Sequence, residues 1–121
     1  METTVFGRIL ARLVAQLPGA RGAVFADWDG ETVDQASCLD ATEMALFAAH
    51  WGIVFYQAKA RFKKLGLGHL ETMVLTFAQE RVMVRSVDRD YYVALSIPHD
   101  ANIGRATALL EQTRLDVLEQ M

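Results

Sequence analysis

The sequence predicts an α+β domain in which helices pack on an antiparallel sheet. Three strand-like runs, residues 70–78, 81–87 and 91–97, are separated by gaps of only two or three residues. Gaps this short join antiparallel neighbours, because a parallel crossover needs about a dozen residues or more. Two further short runs and three amphipathic segments complete the predicted order α-β-β-α-β-β-β-α.

Length and composition indicate one globular domain spanning residues 1–121. Of these residues 52% are hydrophobic and 22% are charged, and the net charge is −3. This charge gives no reason to expect nucleic acid or an anionic membrane as a partner. No apolar run approaches the ~20 residues of a membrane span. With one cysteine, Cys38, and no export signal, we expect a reduced, cytoplasmic protein.

The first helix and the first hairpin follow from local patterns. Pro18 and Gly19 end the helix. Runs 22–26 and 32–36 then form a hairpin around the turn 27–30, where Gly30 can adopt a positive φ. The second run is weakly hydrophobic, which favours an exposed sheet edge. The helix is indicated by an apolar stripe of Val5, Phe6, Ile9, Leu10, Leu13, Val14 and Leu17.

Capping residues predict the bounds of the other two helices. Asp40, followed by Glu43, resembles a capping box that opens a helix over 41–64, and Gly66 would end it in the left-handed region. Asp100 is the candidate cap of a last helix over 101–119. The apolar stripe of that helix is Ile103, Ala106, Leu110, Thr113, Val117 and Met121.

The central helix has two apolar faces. The larger side chains recur at steps of three and four, as expected for a helix lying on a sheet. They are Met44, Phe47, Trp51, Phe55, Ala58, Phe62 and Leu65. A second stripe of smaller residues points away from the first by well over a right angle. Its members are Leu46, Ala49, Ile53, Tyr56 and Ala60.

Two interpretations of the second stripe are open from the sequence. It could pack against the protein's own first or last helix. Alternatively, it could meet another molecule, most simply the same helix of a twofold-related copy. The second interpretation is favoured because each terminal helix carries one apolar stripe, which suits the opposite face of the sheet.

Several motifs together resemble the Roadblock domain family, which includes dynein light chains and bacterial partners of small Ras-like GTPases. They are the hairpin GAVFADWDG at 22–30, the strand YYVALSI at 91–97, and the helix start DANIG at 100–104. The similarity runs from about Thr4 to Glu119. It implies a five-stranded antiparallel sheet, with the central helix on one face and the terminal helices on the other, as in a Roadblock/profilin-like fold.

The resemblance also implies a homodimer that pairs edge strands and central helices across a twofold axis. Here the pairing edge would be the strand 70–78, with Thr72, Val74 and Thr76 as interface residues beside the second helical stripe. The family has no shared catalytic residues, so the resemblance implies binding without an active site.

The basic group at the end of the central helix, Lys59, Arg61, Lys63 and Lys64, has two interpretations. Positive charge there offsets the helix dipole, and such a group is commonly a solvated helix end. As a functional patch, with Lys59, Lys63 and Lys64 as its partner-binding residues, it would suit an acidic protein. Nucleic acid is disfavoured, because the basic stretch lacks exposed aromatic residues for base stacking.

No segment carries a catalytic or cofactor-binding constellation. His50, His69 and His99 are far apart, so no metal site is predicted. The two glycines Gly66 and Gly68 are not followed by a Lys-Ser/Thr pair, which a phosphate-binding loop requires. We expect Cys38 to be an inert loop residue.

Three functional hypotheses follow. The first is a non-enzymatic homodimer that binds and regulates a small Ras-like GTPase, as the resemblance implies, without a cofactor. The second is an adaptor or scaffold subunit unrelated to GTPases. The third is a PAS- or GAF-like small-molecule sensor, which would need a hollow between helix and sheet. The bulky stripe on the central helix argues against such a hollow.

Overall fold

A computed structural model describes residues 4–37 and 40–121. Cys38 lies outside the described residues, so its inert role stays a prediction. None of the helices in the described ranges is both long and apolar enough to cross a bilayer. The elements are α1 (Val5–Ala15), β1 (Gly22–Asp27), β2 (Thr32–Ser37), α2 (Ala41–Lys64), β3 (Thr72–Thr76), β4 (Glu80–Ser86), β5 (Tyr91–Pro98) and α3 (Ile103–Glu119).

The predicted element order is confirmed, and the helix caps differ at one site. Asp40 caps α2 as expected, because its Oδ1 accepts a hydrogen bond from the Glu43 amide at 2.7 Å. The prediction that Asp100 caps α3 is wrong. The chain makes a turn after β5, in which the Ala101 amide donates to the Pro98 carbonyl. The cap is therefore Asn102, whose Oδ1 accepts from the Arg105 amide at 3.0 Å.

The five strands form one antiparallel sheet in the order β2-β1-β5-β4-β3. The prediction of a five-stranded antiparallel sheet is confirmed. The central strands β1 and β5 are buried on both faces, whereas β2 and β3 are the edges. Strand β3 is shorter than the predicted run 70–78. Its flanking residues lie in irregular segments that lead from α2 and into the turn before β4.

Each face of the sheet has its own hydrophobic core, and the predicted placement of the helices is confirmed. Leu10 and Leu13 of α1 pack with Leu110 and Val117 of α3 on one face. Met44, Ala48 and Phe55 of α2 pack on the other face against Val24, Val82, Val84 and Tyr92. Side chains of a strand alternate between faces, so adjacent residues of β1, β4 and β5 serve the two cores in turn.

Helix α2 approaches the sheet closely at Gly52. The Tyr92 hydroxyl of β5 donates to the Ala48 carbonyl at 2.5 Å, in a fully buried position. A Cβ on Gly52 would lie 2.5 Å from that hydroxyl oxygen, so any side chain there would clash. The Trp28 ring stacks on Phe55 and Tyr92, with centroids 5.3 and 4.8 Å apart. Burial, and secondarily the charge of Asp27, raises the pKa of Tyr92 well above its usual range.

The sheet-facing stripe of α2 differs in part from the predicted one. Met44 and Phe55 are buried as expected, and Phe47 and Trp51 are half-buried beside them. Phe62 and Leu65, by contrast, are 38% and 67% exposed. Leu65 is the C-cap that follows the last residue of α2. The small residues Ala48 and Gly52 contact Tyr92 of the sheet.

We expect Gly52→Ala to lower the free energy of unfolding by about 1–3 kcal/mol, because overpacking against Tyr92 outweighs the gain in helix propensity. Chemical denaturation monitored by circular dichroism measures this change. The control is Gly104→Ala in α3, where the new Cβ would lie 3.4 Å from the Asn102 side chain, an ordinary contact. Equal stability of the two variants would contradict the assigned contact.

Candidate protein-interaction surface

The second stripe of α2 lies mostly in the open. Leu46, Ile53 and Tyr56 are 67%, 55% and 57% exposed, and Ala60 is exposed too. Both terminal helices pack on the opposite face of the sheet, so the described helices do not cover this stripe. The interpretation in which α1 or α3 covers it is therefore wrong.

Ala49 differs from the rest of that stripe. It is half-buried against the β1–β2 turn, where a Cβ on Gly30 would lie 3.0 Å from the Ala49 Cα. Gly30 has a φ of +82°, which already favours glycine there. Ala49 thus helps to seat α2 on its own hairpin, and Leu46, Ile53 and Tyr56 supply most of the exposed apolar area.

The outer edge of β3 offers unpaired main-chain groups beside this helix. The Ser86 amide donates to the Glu71 carbonyl at 3.0 Å, and the Phe77 amide donates to the Glu80 carbonyl at 2.7 Å. In an antiparallel ladder the bonded positions alternate, so odd-numbered residues of this segment bond to β4. The N–H and C=O groups of Thr72, Val74 and Thr76 consequently point toward the free edge.

The side chains of these three residues lie on the face opposite α2. Arg81 donates from Nε to the Thr76 Oγ1 at 2.8 Å, and Arg85, which pairs with Thr72, reaches Glu111 of α3. Thr72, Val74 and Thr76 can therefore contribute their main chain to an interface next to α2. Their side chains would contact only a partner on the α3 face.

Three other β3-segment residues were missed by the sequence reasoning. Met73 packs into the α2 core, and alternation along the strand places Leu75 and Phe77 on the same face. Phe77 is 45% exposed, and its ring centroid lies 5.8 Å from that of Trp51. The period of two along 72–77 could have identified them. We call Leu46, Ile53, Tyr56, Leu75, Phe77 and the β3 edge the α2–β3 surface.

The predicted partner-binding lysines occupy different environments. Lys63 and Lys64 are exposed, whereas Lys59 is half-buried with its Nζ 4.5 Å from the centroid of the Trp28 ring. Burial, together with the nearby charge of Lys63, lowers the pKa of Lys59. Since the Lys59 ammonium lies over an indole, it is less free than its neighbours to meet a partner.

Two acidic residues of the β1–β2 hairpin, Asp27 and Asp34, make structural hydrogen bonds within the chain. Asp27 Oδ1 accepts from the amides of Asp29 and Glu31, both at 3.0 Å. Asp34 accepts from the Thr4 hydroxyl and from the Gln35 amide. Across residues 4–37 and 40–121, no group of three His, Cys, Asp or Glu side chains converges to hold a metal ion.

A charged cluster ties the beginning of β3 to α3. Glu111 accepts hydrogen bonds from Arg114 at 2.5 and 3.0 Å and from Arg85 at 3.1 Å. Arg85 also donates to the Glu71 carbonyl at 3.0 Å. The hydrogen bonds from Arg114, assisted by those from Arg85, lower the pKa of Glu111 to about 2. The cluster thereby holds Glu71, the residue immediately before β3, against β4 and α3.

Sequence comparison assigns the family. The model of the family described as mitogen-activated protein kinase kinase 1 interacting matches residues 6–121, and the chain belongs to that family. No curated protein sequence matches the chain.

Solved structures share the fold, which confirms the resemblance to Roadblock domains. The Roadblock/LC7 domain from Streptomyces avermitilis is 16% identical with a TM-score of 0.88, covering 93% of this chain and 94% of that one. Myxococcus xanthus MglB is 13% identical with a TM-score of 0.85, covering 100% of both chains. An MglB described as having a tetrameric arrangement is 15% identical, with a TM-score of 0.80 and coverage of 94% and 88%.

The charged cluster makes a prediction about acid stability. Because folding lowers the pKa of Glu111, its stabilising contribution is complete above the ordinary value of 4.5 and is lost as pH falls toward about 2. We expect Glu111→Gln to lower the free energy of unfolding at neutral pH. The variant should also lose less of that free energy than the parent protein as the pH falls from 4.5 toward about 2. Urea unfolding at a series of pH values measures both effects. Glu119→Gln, on the last turn of the same helix, is the control. If the free energy of unfolding falls equally with pH in Glu111→Gln and in the parent protein, the lowered pKa of Glu111 is wrong.

Proposed function

We propose that this protein is a non-enzymatic, homodimeric interaction module that binds and regulates a small Ras-like GTPase. The observation that carries the dimer is the α2–β3 surface, where exposed apolar side chains of α2 lie on the same face of the sheet as Phe77 beside the free edge of β3. An unpaired edge strand is a template for pairing with another strand. A contiguous apolar patch on a soluble protein marks an interaction site.

The register of β3 supports a symmetric pairing. The residues with outward-facing main-chain groups are Thr72, Val74 and Thr76, and Val74 is the middle of the strand. A twofold axis at Val74 would pair Thr72 with Thr76 of the second copy in an antiparallel ladder. The two α2 helices would then lie side by side on one face of a ten-stranded sheet, and their exposed apolar side chains would be covered.

The GTPase as partner rests on the resemblance to Roadblock domains and on local charge. The described basic side chains near the end of α2 contrast with the net charge of −3 of the whole chain. Complementary charge of this kind speeds association with an acidic partner. We assign no catalytic arginine, because the sequence context of Arg61, Arg89 and Arg105 does not single out one of them.

An adaptor role is the second candidate. The description of the matched family names a mitogen-activated protein kinase kinase as the partner of its members, which favours protein binding without requiring a GTPase. A small-molecule sensor is disfavoured. The Tyr92 hydroxyl and the Gly52 backbone fill the space between α2 and the sheet where such a domain would need a hollow.

We expect Ile53→Asp to raise the dissociation constant of the dimer by about 100-fold or more, because it places an unpaired carboxylate in the apolar contact. Light scattering across a concentration series measures this shift. Ile53 is 55% exposed in the monomer, so the fold should persist. The control is Leu115→Asp on α3, which is 46% exposed and lies outside the α2–β3 surface. A parent protein that scatters as 13.5 kDa at every concentration would refute the dimer.

For the partner, we expect Lys63→Glu with Lys64→Glu to slow association with a nucleotide-loaded GTPase by about tenfold at low salt, and less at high salt. Stopped-flow mixing measures the rate. Arg12→Glu with Arg105→Glu makes the same change in net charge on the terminal helices and is the control. If no small GTPase of the host binds, the adaptor role becomes the favoured function. That result would not contradict the proposed dimer.

A further inference from the structure

A basic groove lies at the C-terminal end of α2. It has a volume of about 530 Å³ and is formed by the last turns of α2, the loop before β3 and the β4–β5 turn. Its cationic lining is Lys59, Lys63 and Arg89, joined by His69, and no carboxylate lines it among the described residues. Tyr56, Ala60 and Leu70 supply an apolar floor.

The groove draws its charges from elements that are distant in sequence. Residues 44–70 contain four lysines and arginines but no aspartate or glutamate. Arg89 reaches the same place from the turn 87–90, so a charge outside the helix joins those of α2. Among the described residues, the Arg89 and Lys63 side chains have no acidic partner within ion-pair distance. These two cations are therefore available to a ligand.

The main chain of Arg89 is held in place before any ligand binds. The Trp28 indole donates from Nε1 to the Arg89 carbonyl at 2.7 Å, which ties the β4–β5 turn to the β1–β2 hairpin. Asp88 Oδ1 accepts from the amides of Asp90 and Tyr91 at 2.8 and 3.0 Å, and this closes the turn. Lys59 lies over the ring of the same tryptophan, with its Nζ 4.5 Å from the ring centroid. Because the main chain of the turn is already ordered, a ligand that meets Arg89 does not have to order that turn, which lowers the entropic cost of binding.

We propose that this groove binds an acidic segment of a protein partner, with carboxylates paired to Arg89 and Lys63 and an apolar side chain on Tyr56 and Leu70. The proposal deepens the proposed function, since it states the chemistry by which the partner is recognised. Tyr56 lines the groove and also belongs to the α2–β3 surface, and Ala60 is exposed beside it. A bound segment would therefore share Tyr56 with the dimer interface and lie along its border.

The shape of the groove favours a peptide over other anions. A bare phosphate group would leave the floor of Tyr56, Ala60 and Leu70 uncovered. A bilayer surface is too flat to place anions at the bottom of a concave groove. An extended acidic segment with an apolar residue can satisfy the cations and the floor together.

The test uses the full chain and a short fluorescent peptide rich in glutamate and leucine, with binding followed by anisotropy. We expect Arg89→Gln and Lys63→Gln each to weaken binding by about three- to tenfold. The matched controls Arg12→Gln and Arg105→Gln remove the same charge at exposed positions on the terminal helices that do not line the groove, and they should change binding less than twofold, roughly the size of a screened surface contact. The same peptide with glutamine in place of glutamate should not bind.

Three results would overturn the proposal. Equal losses for the groove variants and the controls would show binding by net charge alone. Competition by inorganic phosphate as strong as that by unlabelled peptide would assign a phosphate site instead. If the protein binds phosphatidylserine vesicles, loses that binding in Arg89→Gln and does not bind the peptide, the groove binds lipid headgroups and not an acidic protein segment. Light scattering and GTPase association test the proposed function separately, because a peptide can bind a protein that is monomeric or that ignores every GTPase.

Discussion

The contact between Gly52 of α2 and Tyr92 of β5 is the constraint on which the other surfaces depend. Tyr92 is fully buried in a central strand, and its hydroxyl needs a hydrogen-bond partner, which the Ala48 carbonyl provides. The short distance allows no side chain at position 52. This contact sets the rotation of α2 about its axis. Leu46 and Ile53 are thereby directed away from the sheet, toward solvent.

Strand β3 gives the sheet one available edge. It is the last strand in the sheet order and pairs with β4 alone, so its outward main-chain groups are unpaired by the described chain. The Arg85–Glu111–Arg114 cluster holds the approach to that strand from the opposite face. A strand that is anchored on one face and free at its edge is well suited to pair with a second copy.

The basic end of α2 gains its organisation from the two hairpins. Trp28 connects them, because its ring packs on Phe55 and Tyr92 while its indole nitrogen reaches the Arg89 carbonyl. Lys59 is placed on that ring, and Arg89 lines the same groove as Lys63. A group of charges that would otherwise be a solvated helix end thus lines a groove, and the same tryptophan supports both the fold and the groove.

Local patterns in the sequence determined the element order, the bounds of α2 and the Asp40 cap, because periodicity and capping act within a few residues. They also identified the exposed apolar stripe and the α2 lysines. The tertiary structure decided which strands are edges, that Thr72, Val74 and Thr76 present main chain and not side chains next to α2, and that Leu75 and Phe77 share its face. It also brought Arg89 to Lys63 and removed Phe62 and Leu65 from the core. These features depend on strand register and on how α2 packs on the sheet, and both arise from contacts between residues far apart in the chain.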